Sequence, residues 1–265
     1  MLTSTRNPAV ARARRLARGG ADGEALVEAP GAIAAAVEAG ALRVLWHTHD
    51  AAQRHPDLLA AAHQAGATVQ PVADHVLEAM AATRGPQGMV GVAVLAPVDP
   101  ATALDEATLA VVCVAASDPG NVGTVVRTAD AAGADAVLLA DHAVDPANPK
   151  AIRAAAGSLF HLPVGRGAWE EVAEAARQQG LALVACDHTA ATAHHAADLR
   201  RPTALVLGSE AHGLSRAVVA ACDHVVAVPQ RGRAESLSLP VAAGVVLFEA
   251  ARQRGLATPP DPLPH

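Results

Sequence analysis

Short apolar runs alternate with longer alanine-rich or amphipathic segments through the N-terminal part of this chain. Each apolar run is bounded by glycine, proline or charged residues, which is the pattern of strands connected by helices. The pattern predicts strands at residues 25–27, 42–46, 68–71 and 89–95, and helices at residues 1–20, 30–39, 56–64 and 73–80. Asn7 and Pro8 suit the cap and the first position of the first helix. We therefore predict a small α/β domain over residues 1–96.

The periodicity stops at residues 97–108. This stretch combines Pro97 and Pro100 with several acidic residues. Because prolines and polar residues without a period are typical of connecting segments, we predict an interdomain linker there.

The C-terminal part resumes the alternation with longer and more continuous apolar runs. The predicted strands are residues 109–115, 137–139, 181–186, 205–207 and 225–228, and the predicted helices are residues 124–132, 148–156, 169–179 and 239–254. Continuous apolar strands are typical of a parallel sheet covered on both faces. We predict a second α/β domain with a parallel sheet over residues 109–256, followed by a C-terminal tail at residues 257–265.

Several of these strands end in loops that are rich in small residues. The loops after residues 205–207 and 225–228 contain glycines and serines. In open α/β folds, ligands bind at the carboxyl ends of such strands. No dinucleotide-binding G-x-G-x-x-G fingerprint and no P-loop follows any predicted strand, so an NAD or ATP site is disfavoured.

Composition adds limits to this interpretation. The chain has 265 residues, of which 51% are hydrophobic, and its formal net charge is −6. An acidic total argues mildly against RNA binding, but an N-terminal cluster of arginines precedes the first acidic residue. This cluster comprises Arg6, Arg12, Arg14, Arg15 and Arg18. Taken alone, it also fits a solvated helix face.

The remaining sequence features predict a cytoplasmic protein. Cys113, Cys186 and Cys222 are widely spaced in or beside apolar runs, which favours reduced, buried thiols over disulfides or a metal site. The sequence shows neither a secretory signal nor an apolar run long enough to span a bilayer. The histidine-rich loop with His188, His194 and His195 lacks a convincing set of further ligands, so we expect no metal.

Three blocks of the C-terminal part carry a family resemblance. The first is Asn121-x-Gly123-x-x-x-Arg127, followed by Ala129 and Gly133; the second is Gly208-Ser-Glu-Ala-His-Gly-Leu-Ser215; the third is Ser236-Leu-Ser238 before a predicted helix. They resemble motifs 1, 2 and 3 of the SpoU (TrmH-like) RNA 2′-O-methyltransferases of the SPOUT superfamily. The family has Asn where this chain has Ser238. Residues 83–88, Thr-Arg-Gly-Pro-Gln-Gly, resemble the L30e-like substrate domain of many members.

The resemblance implies a cofactor and a fold. It implies S-adenosylmethionine (SAM) bound in a crevice made by a deep trefoil knot, held mainly by backbone groups of three loops. The matching positions are Thr189, Leu207, Gly208, Gly213, Val228 and Leu237. Glycines suit such a site because they let the main chain approach a ligand closely.

The resemblance also implies catalytic roles. Arg127 is the motif 1 arginine to which the family assigns activation of the ribose hydroxyl. Asn121 would orient Arg127 or the RNA, unless it only forms a turn, and Glu210 would fix the motif 2 loop or pair with an arginine, unless it only interacts with a helix dipole. Ser236 and Ser238 would donate to a phosphate or cap the following helix.

These expectations lead to a functional prediction with alternatives. We predict SAM-dependent 2′-O-methylation of structured RNA by a homodimer joined through its SPOUT domains. The favoured substrate is 23S rRNA. Arg6, Arg12, Arg14, Arg15 and Arg231, with Arg233 beside it, would contact phosphates. The alternatives are a catalytically weak or silent RNA-binding relative, because Ser238 replaces Asn, and a tRNA methyltransferase. A small-molecule methyltransferase ranks below both, because the function of the extra N-terminal domain would then be hard to explain.

Overall fold

The computed structural model describes residues 1–19, 23–234 and 236–255, and it divides into two compact units. Unit 1 is made of Met1–Pro97, Asp118–Arg127 and Val144–Pro163; unit 2 is made of Val98–Ser117, Thr128–Ala143 and Val164–His265. The predicted tail at residues 257–265 lies outside the described residues.

The bounds of the regular elements are as follows. The strands are β1 (Glu24–Glu28), β2 (Leu42–His47), β3 (Thr68–Pro71), β4 (Met89–Val94), β5 (Leu109–Val114), β6 (Ala136–Ala140), β7 (Val164–Gly167), β8 (Ala182–Cys186), β9 (Thr203–Leu207) and β10 (His224–Val226). The helices are α1 (Pro8–Leu16), α2 (Pro30–Glu38), α3 (His49–Arg54), α4 (Pro56–Gln64), α5 (Asp74–Met80), α6 (Pro100–Ala103), α7 (Pro119–Ala131), α8 (Pro149–Ala155), α9 (Trp169–Gln178), α10 (Arg216–Ala221) and α11 (Leu239–Gln253).

Unit 1 is built on a four-stranded mixed sheet in the order β1-β4-β2-β3. β4 pairs antiparallel with both β1 and β2, whereas β2 and β3 are parallel. Helix α1 begins where Asn7 accepts a hydrogen bond from the amide of Ala9 at 2.9 Å. Its apolar side, with Val10 and Leu16 fully buried, packs into a core shared with α5 and the sheet.

Unit 2 is built on a six-stranded sheet in the order β10-β8-β9-β5-β6-β7, and every pairing is parallel. All residues of β5, β6 and β9 are buried. This explains why their sequences are continuous rather than alternating apolar runs, because both faces of the sheet are covered. The prediction of an α/β fold with a parallel sheet is confirmed.

The parallel arrangement brings the carboxyl ends of β8, β9 and β10 to one edge of this sheet. The segments that follow these strands are held together by backbone hydrogen bonds. The amide of Ala227 donates to Thr192 O at 2.8 Å, and the amide of His194 donates to Ala227 O at 2.8 Å. The chain after β10 therefore lies against the loop after β8.

The end of α11 is fixed to the same region of unit 2. Gln253 accepts from the amide of Leu199 at 2.8 Å and donates to Ala197 O at 3.0 Å. The guanidinium of Arg254 donates to the carbonyl oxygens of Leu199, Arg201 and Thr108. These contacts fix the last helix to the loop that precedes β9.

Helix α7 begins about one turn earlier than the sequence predicted. We expected its start near Thr124, but it begins at Pro119, so Asn121 and Gly123 lie in the helix and not in a loop. Asp118 caps it, because Oδ1 of Asp118 accepts from the amide of Asn121 at 2.9 Å. Aspartate before proline is a helix-start signal that outweighs the glycines that follow.

The prediction also missed four short elements: α3, α6, α10 and β7. Helix α6 lies inside the predicted linker, where Asp99 accepts from the amide of Thr102 at 3.0 Å and Pro100 occupies the first turn. Asp99 and Pro100, two of the residues on which the linker prediction rested, therefore begin a short helix. Helix α10 is capped in the same way by Ser215.

Candidate active site

The main cavity of interest in unit 2 lies at the carboxyl edge of its parallel sheet. It has a volume of about 370 Å³ and is lined by the segments that follow β8, β9 and β10 and by the start of α11. This volume falls within the range of roughly 300–1,000 Å³ that is usual for small-molecule sites. Five of the six residues predicted to bind the cofactor line it: Leu207, Gly208, Gly213, Val228 and Leu237. Glu210 and Ser236 line it as well.

The loop after β9 folds back on itself at Gly208. A Cβ atom at this position would lie 2.1 Å from the carbonyl carbon of Gly213 and 2.4 Å from the amide nitrogen of Leu214. Gly213 has a φ of +63°, and its amide donates to Ser209 O at 2.9 Å. Only glycine fits at position 208, so the tight loop and the cavity wall depend on it.

Glu210 lies at the exposed tip of this loop and not in the first turn of a helix. Helix α10 begins only at Arg216, so the helix-dipole role considered for Glu210 is wrong. Burial raises the pKa of the Cys113 thiol to about 12, and the negative charge of Glu210 makes a smaller contribution to this rise.

The segment before α11 forms the third wall of the cavity. Leu237 is half-buried against it, and Ser236 and Ser238 are exposed. Ser238 occupies the cap position of α11 and its carbonyl oxygen accepts from the amide of Ala242 at 3.0 Å. Its side chain makes no capping hydrogen bond, so helix capping does not explain this residue. Ser238 is not among the described lining residues of the cavity.

The structure of the loop after β8 corrects the prediction for one residue. Thr189 is exposed and is not among the described residues that line the cavity; Cys186, Asp187 and His188 are. Thr189 holds Asp187 instead, because its amide and its hydroxyl donate to Asp187 Oδ1 at 2.8 and 2.7 Å. These hydrogen bonds lower the pKa of Asp187 from its usual value. The sequence signal for Asp187 was its position as the first residue after a buried strand.

The side chains around the cavity suit a positively charged, partly apolar ligand. Among the described lining residues, the carboxylates are Asp187 and Glu210, and none is arginine or lysine. Burial raises the pKa of the Cys186 thiol to about 12, so this side chain is neutral. Leu207, Val226 and Leu237 add apolar walls. SAM carries a sulfonium cation, an apolar base and a ribose, so these residues fit it.

Arg127 and Asn121, the candidate catalytic residues of the first block, belong to unit 1. Both lie on α7, Asn121 half-buried and Arg127 exposed. Residues six positions apart do not face each other on a helix, so the helix disfavours a direct role of Asn121 in orienting Arg127.

The glycine of the same block has a packing function. A Cβ atom at Gly123 would lie 2.2 Å from the carbonyl oxygen of Ala151 on α8. The start of α7 is also tied to α8 by an ion pair, in which Lys150 Nζ lies 2.7 Å from Asp118 Oδ2. The spacing of this block therefore reflects close helix packing as well as chemistry.

The predicted RNA-binding arginines differ in their surroundings. Arg6 and Arg15 are exposed, as are Arg231 and Arg233. Arg12 pairs with Glu24, and Arg14 Nε donates to Ala79 O at 2.8 Å.

Two further observations concern metals and membranes. In the described ranges, no three His, Cys, Asp or Glu side chains gather into a group that could hold a metal ion. No helix of the described chain has the length and apolar composition needed to cross a bilayer.

Comparison with known proteins identifies relatives of both parts of the chain. The profile of the SpoU rRNA methylase family matches residues 108–248, and the profile for RNA 2′-O-ribose methyltransferase substrate binding matches residues 31–97. The 23S rRNA (guanosine-2′-O-)-methyltransferase RlmB of Ralstonia nicotianae is 34% identical over 217 residues, which cover 77% of this chain and 84% of that protein. A 23S rRNA uridine 2′-O-methyltransferase of Streptomyces viridochromogenes is 40% identical over 144 residues, but the match covers only 52% of this chain and 50% of that protein.

Solved structures give the same result over nearly the whole chain. The AdoMet-bound rRNA methyltransferase of Sinorhizobium meliloti has a TM-score of 0.83 at 28% identity, and the match covers 95% of this chain and 97% of that one. The SpoU methyltransferase AviRb of Streptomyces viridochromogenes, solved with AdoMet, has a TM-score of 0.82 at 31% identity, covering 95% of this chain and 100% of that one. The match of the family profile to more than half of the chain, together with these relatives, shows that the chain belongs to the SpoU rRNA methylase family.

Proposed function

We propose that this chain transfers the methyl group of SAM to the 2′-hydroxyl of a ribose in structured RNA, with 23S rRNA as the substrate. The observation that carries the proposal is the glycine-walled cavity at the carboxyl edge of the parallel sheet, where the predicted cofactor residues meet. Relatives named as 23S rRNA 2′-O-methyltransferases and neighbours solved with AdoMet support both the donor and the substrate class.

The donor side of the reaction needs little acid–base help. When bound, SAM supplies a methyl group on a sulfonium, which is already a good electrophile. Backbone groups near Gly208, Gly213, Val228 and Leu237 would hold it. Asp187 and Glu210 add negative charge near a cationic donor, which favours its binding.

The acceptor side needs a group that aligns the ribose hydroxyl and stabilises the developing oxyanion. We assign this role to Arg127 as a charged clamp on the ribose and its phosphate. A guanidinium keeps its proton at neutral pH, so Arg127 is unsuited to act as a base. A phosphate oxygen or a water molecule would accept the hydroxyl proton.

The other motif residues would position the RNA. We propose that Asn121 and Ser236 contact it, that Glu210 orders the loop after β9, and that Ser238 takes the place of the family asparagine. Serine has one shorter hydroxyl where asparagine has two donors and an acceptor. This replacement is the feature that favours the alternative of a weak or silent relative.

We propose that residues 1–96 form an L30e-like RNA-binding domain, with residues 97–108 as a linker and residues 109–256 as the methyltransferase domain. The substrate-binding profile at residues 31–97 supports this division. The exposed Arg6 and Arg15 suit phosphate contacts, with Arg231 near the active site. Arg12 and Arg14 would add positive charge that attracts the RNA, while each keeps its contact within the protein.

We further propose a deep trefoil knot in unit 2. The hydrogen bonds of Ala227 with Thr192 and His194 support it, because they hold the chain after β10 against the loop after β8. The contacts of Gln253 and Arg254 with residues 197–201 would hold the C-terminal helix in place within such a knot.

A homodimer through the methyltransferase domain is also part of the proposal. Helix α11 buries one side in unit 2, whereas Val241, Val245 and Phe248 on its other side are 50%, 38% and 44% exposed. Their spacing places them on one stripe of the helix. An exposed apolar stripe suits a second copy of the same helix better than it suits water. We place the protein in the cytoplasm, where ribosomal RNA is found in bacteria.

The test is transfer of tritium-labelled methyl groups from SAM to purified 23S rRNA and to tRNA in parallel reactions. A 2′-O-methyl group blocks alkaline cleavage, so we expect the label in alkali-resistant dinucleotides from 23S rRNA. Label only in tRNA would support the tRNA alternative. No label in any RNA, although SAM binds, would support the silent relative.

A further inference from the structure

The carboxylate of Asp187 is half-buried in the cavity wall with one oxygen fixed by the protein. Oδ1 accepts from both the amide and the hydroxyl of Thr189, and His188 Nδ1 lies 3.7 Å from the same oxygen. Within the described parts of the chain, every hydrogen bond to this carboxylate ends on Oδ1. The side chain is 20% exposed and lines the cavity, so the carboxylate can meet a ligand there.

Asp187 follows β8, which is the middle one of the three strands that border the cavity. β8 pairs with β9 on one side and with β10 on the other, and the amide of Asp187 donates to Val226 O at 2.9 Å. The loops after β9 and β10 therefore flank it on both sides. The central part of a ligand that contacts both outer loops therefore lies beside Asp187.

We propose that Asp187 Oδ2 accepts hydrogen bonds from the ribose hydroxyls of the adenosyl donor, with Thr189 as the residue that orients the carboxylate. The inference rests on the proposed function, because that function supplies the donor. The ribose is the central part of SAM, between the base and the amino acid. In dinucleotide-binding α/β folds an acidic residue hydrogen-bonds the ribose hydroxyl of the cofactor, which is the precedent for such a contact.

The competing role for Asp187 is binding of the donor's ammonium group. The amino acid is a terminal part of SAM and would extend toward an outer loop, where the exposed Glu210 offers the second carboxylate of the lining. The two roles differ in one measurable respect. 5′-Methylthioadenosine keeps the base and the ribose of SAM but lacks the amino acid and the sulfonium charge, so only ribose recognition makes Asp187 important for both ligands.

The experiment is calorimetric titration of SAM and of 5′-methylthioadenosine into the full-length wild-type chain and its Asp187→Ala and Asp187→Asn variants. Asp187→Asn retains an oxygen for Thr189 but replaces Oδ2 with a donor, so it tests the ligand contact with the loop intact. We expect both variants to weaken both ligands by about 10- to 100-fold, the effect of a lost hydrogen bond to a charged group, with the larger loss for the cationic SAM. Thr189→Val should weaken both ligands by a smaller factor.

Asp198→Ala is the matched control, because this exposed aspartate pairs with Arg200 and is not among the described lining residues. It should bind both ligands as the wild type does, and circular dichroism should show all variants folded. Wild-type affinity for both ligands in both Asp187 variants would overturn the inference. Loss of SAM affinity alone would overturn it in favour of a contact with the charged groups of SAM, the ammonium or the sulfonium. A wild-type chain that binds neither ligand would instead refute the proposed function, and the inference with it.

Discussion

The two units use their sheets in different ways. In unit 1 the strand β4 lies between β1 and β2 and runs opposite to both, so the loops after β1 and β2 are separated by a reversed strand. In unit 2 all strands run in the same direction, so the loops after β8, β9 and β10 collect at one edge and enclose a cavity. Adjacent parallel strands place the loops that follow them side by side, and in unit 2 the concave site forms among these loops.

The difference extends to the chemistry that each unit offers. The cavity of unit 2 is lined by glycines, apolar side chains and carboxylates, which suits a small cationic ligand. Unit 1 offers exposed arginines such as Arg6, Arg15 and Arg127, which suit the phosphates of a large anionic partner. We therefore expect damage to unit 2 to abolish donor binding and damage to these arginines to spare it.

The largest expected effect is that of Gly208→Val in unit 2. A Cβ atom at this position would lie 2.1 Å from the backbone of Gly213, so the loop must open. We expect SAM affinity to fall by at least about 100-fold in calorimetry, because the wall of the cavity is displaced. Gly232→Ala is the control, since a Cβ there meets nothing within 4 Å. Unchanged affinity in Gly208→Val would show that SAM binds elsewhere.

Arg127→Lys tests the contribution of α7. Lysine keeps the charge but loses the planar fork, so we expect turnover to fall by roughly 100-fold while the SAM dissociation constant stays within about twofold. Steady-state kinetics with labelled SAM and calorimetry measure the two quantities. Arg43→Lys, at an exposed arginine that donates to Gly40 O, serves as the control. Near-wild-type turnover of Arg127→Lys would refute the clamp.

Charging the exposed stripe of α11 should separate the proposed dimer. We expect Val245→Asp combined with Phe248→Asp to give monomers by light scattering at micromolar concentration, because two buried charges would face each other across the interface. Val94→Asp in unit 1 is the matched control, since Val94 is 37% exposed and Val245 is 38% exposed. A wild-type chain that is already monomeric would contradict the dimer itself.

The smallest effect concerns alkaline pH, and it should be confined to unit 2, which contains all three cysteines. The folded-state pKa of the buried Cys113 thiol is raised to about 12, so the folded state keeps its proton while the unfolded state loses it above about pH 9. Stability therefore falls as pH rises through this window, by about 1.4 kcal/mol per pH unit from this residue. Cys113→Ala should reduce the slope measured by chemical denaturation between pH 9 and 10. An unchanged slope would contradict the effect.

Sequence predicted the parts of the molecule that depend on continuous patterns. The apolar runs of β5, β6 and β9 identified a sheet buried on both faces, and the motif blocks at Gly208 and Ser236 identified the family and two walls of the cavity. Both follow from local spacing. The family resemblance is confirmed by the matched profiles.

The remaining features depend on side-chain contacts that spacing does not encode. The start of α7 is set by the cap at Asp118, and the Thr189 hydroxyl turns toward Asp187 and leaves the carboxylate to face the cavity. Ser238 occupies a cap position without capping. The presence of a hydrogen bond between neighbours in the chain at Asp118 and Asp187, and its absence at Ser238, cannot be told from residue types alone.

The most direct test of the donor site is the change in backbone amide resonances of the isotope-labelled chain when SAM is added. We predict that the largest shifts fall in residues 186–188, 207–214, 226–230, 236–237 and 239–242, the segments that contribute to the lining of the cavity of unit 2. Saturable shifts centred on β1–β4 of unit 1, or the absence of shifts at millimolar SAM, would contradict the assignment of this cavity as the methyl-donor site.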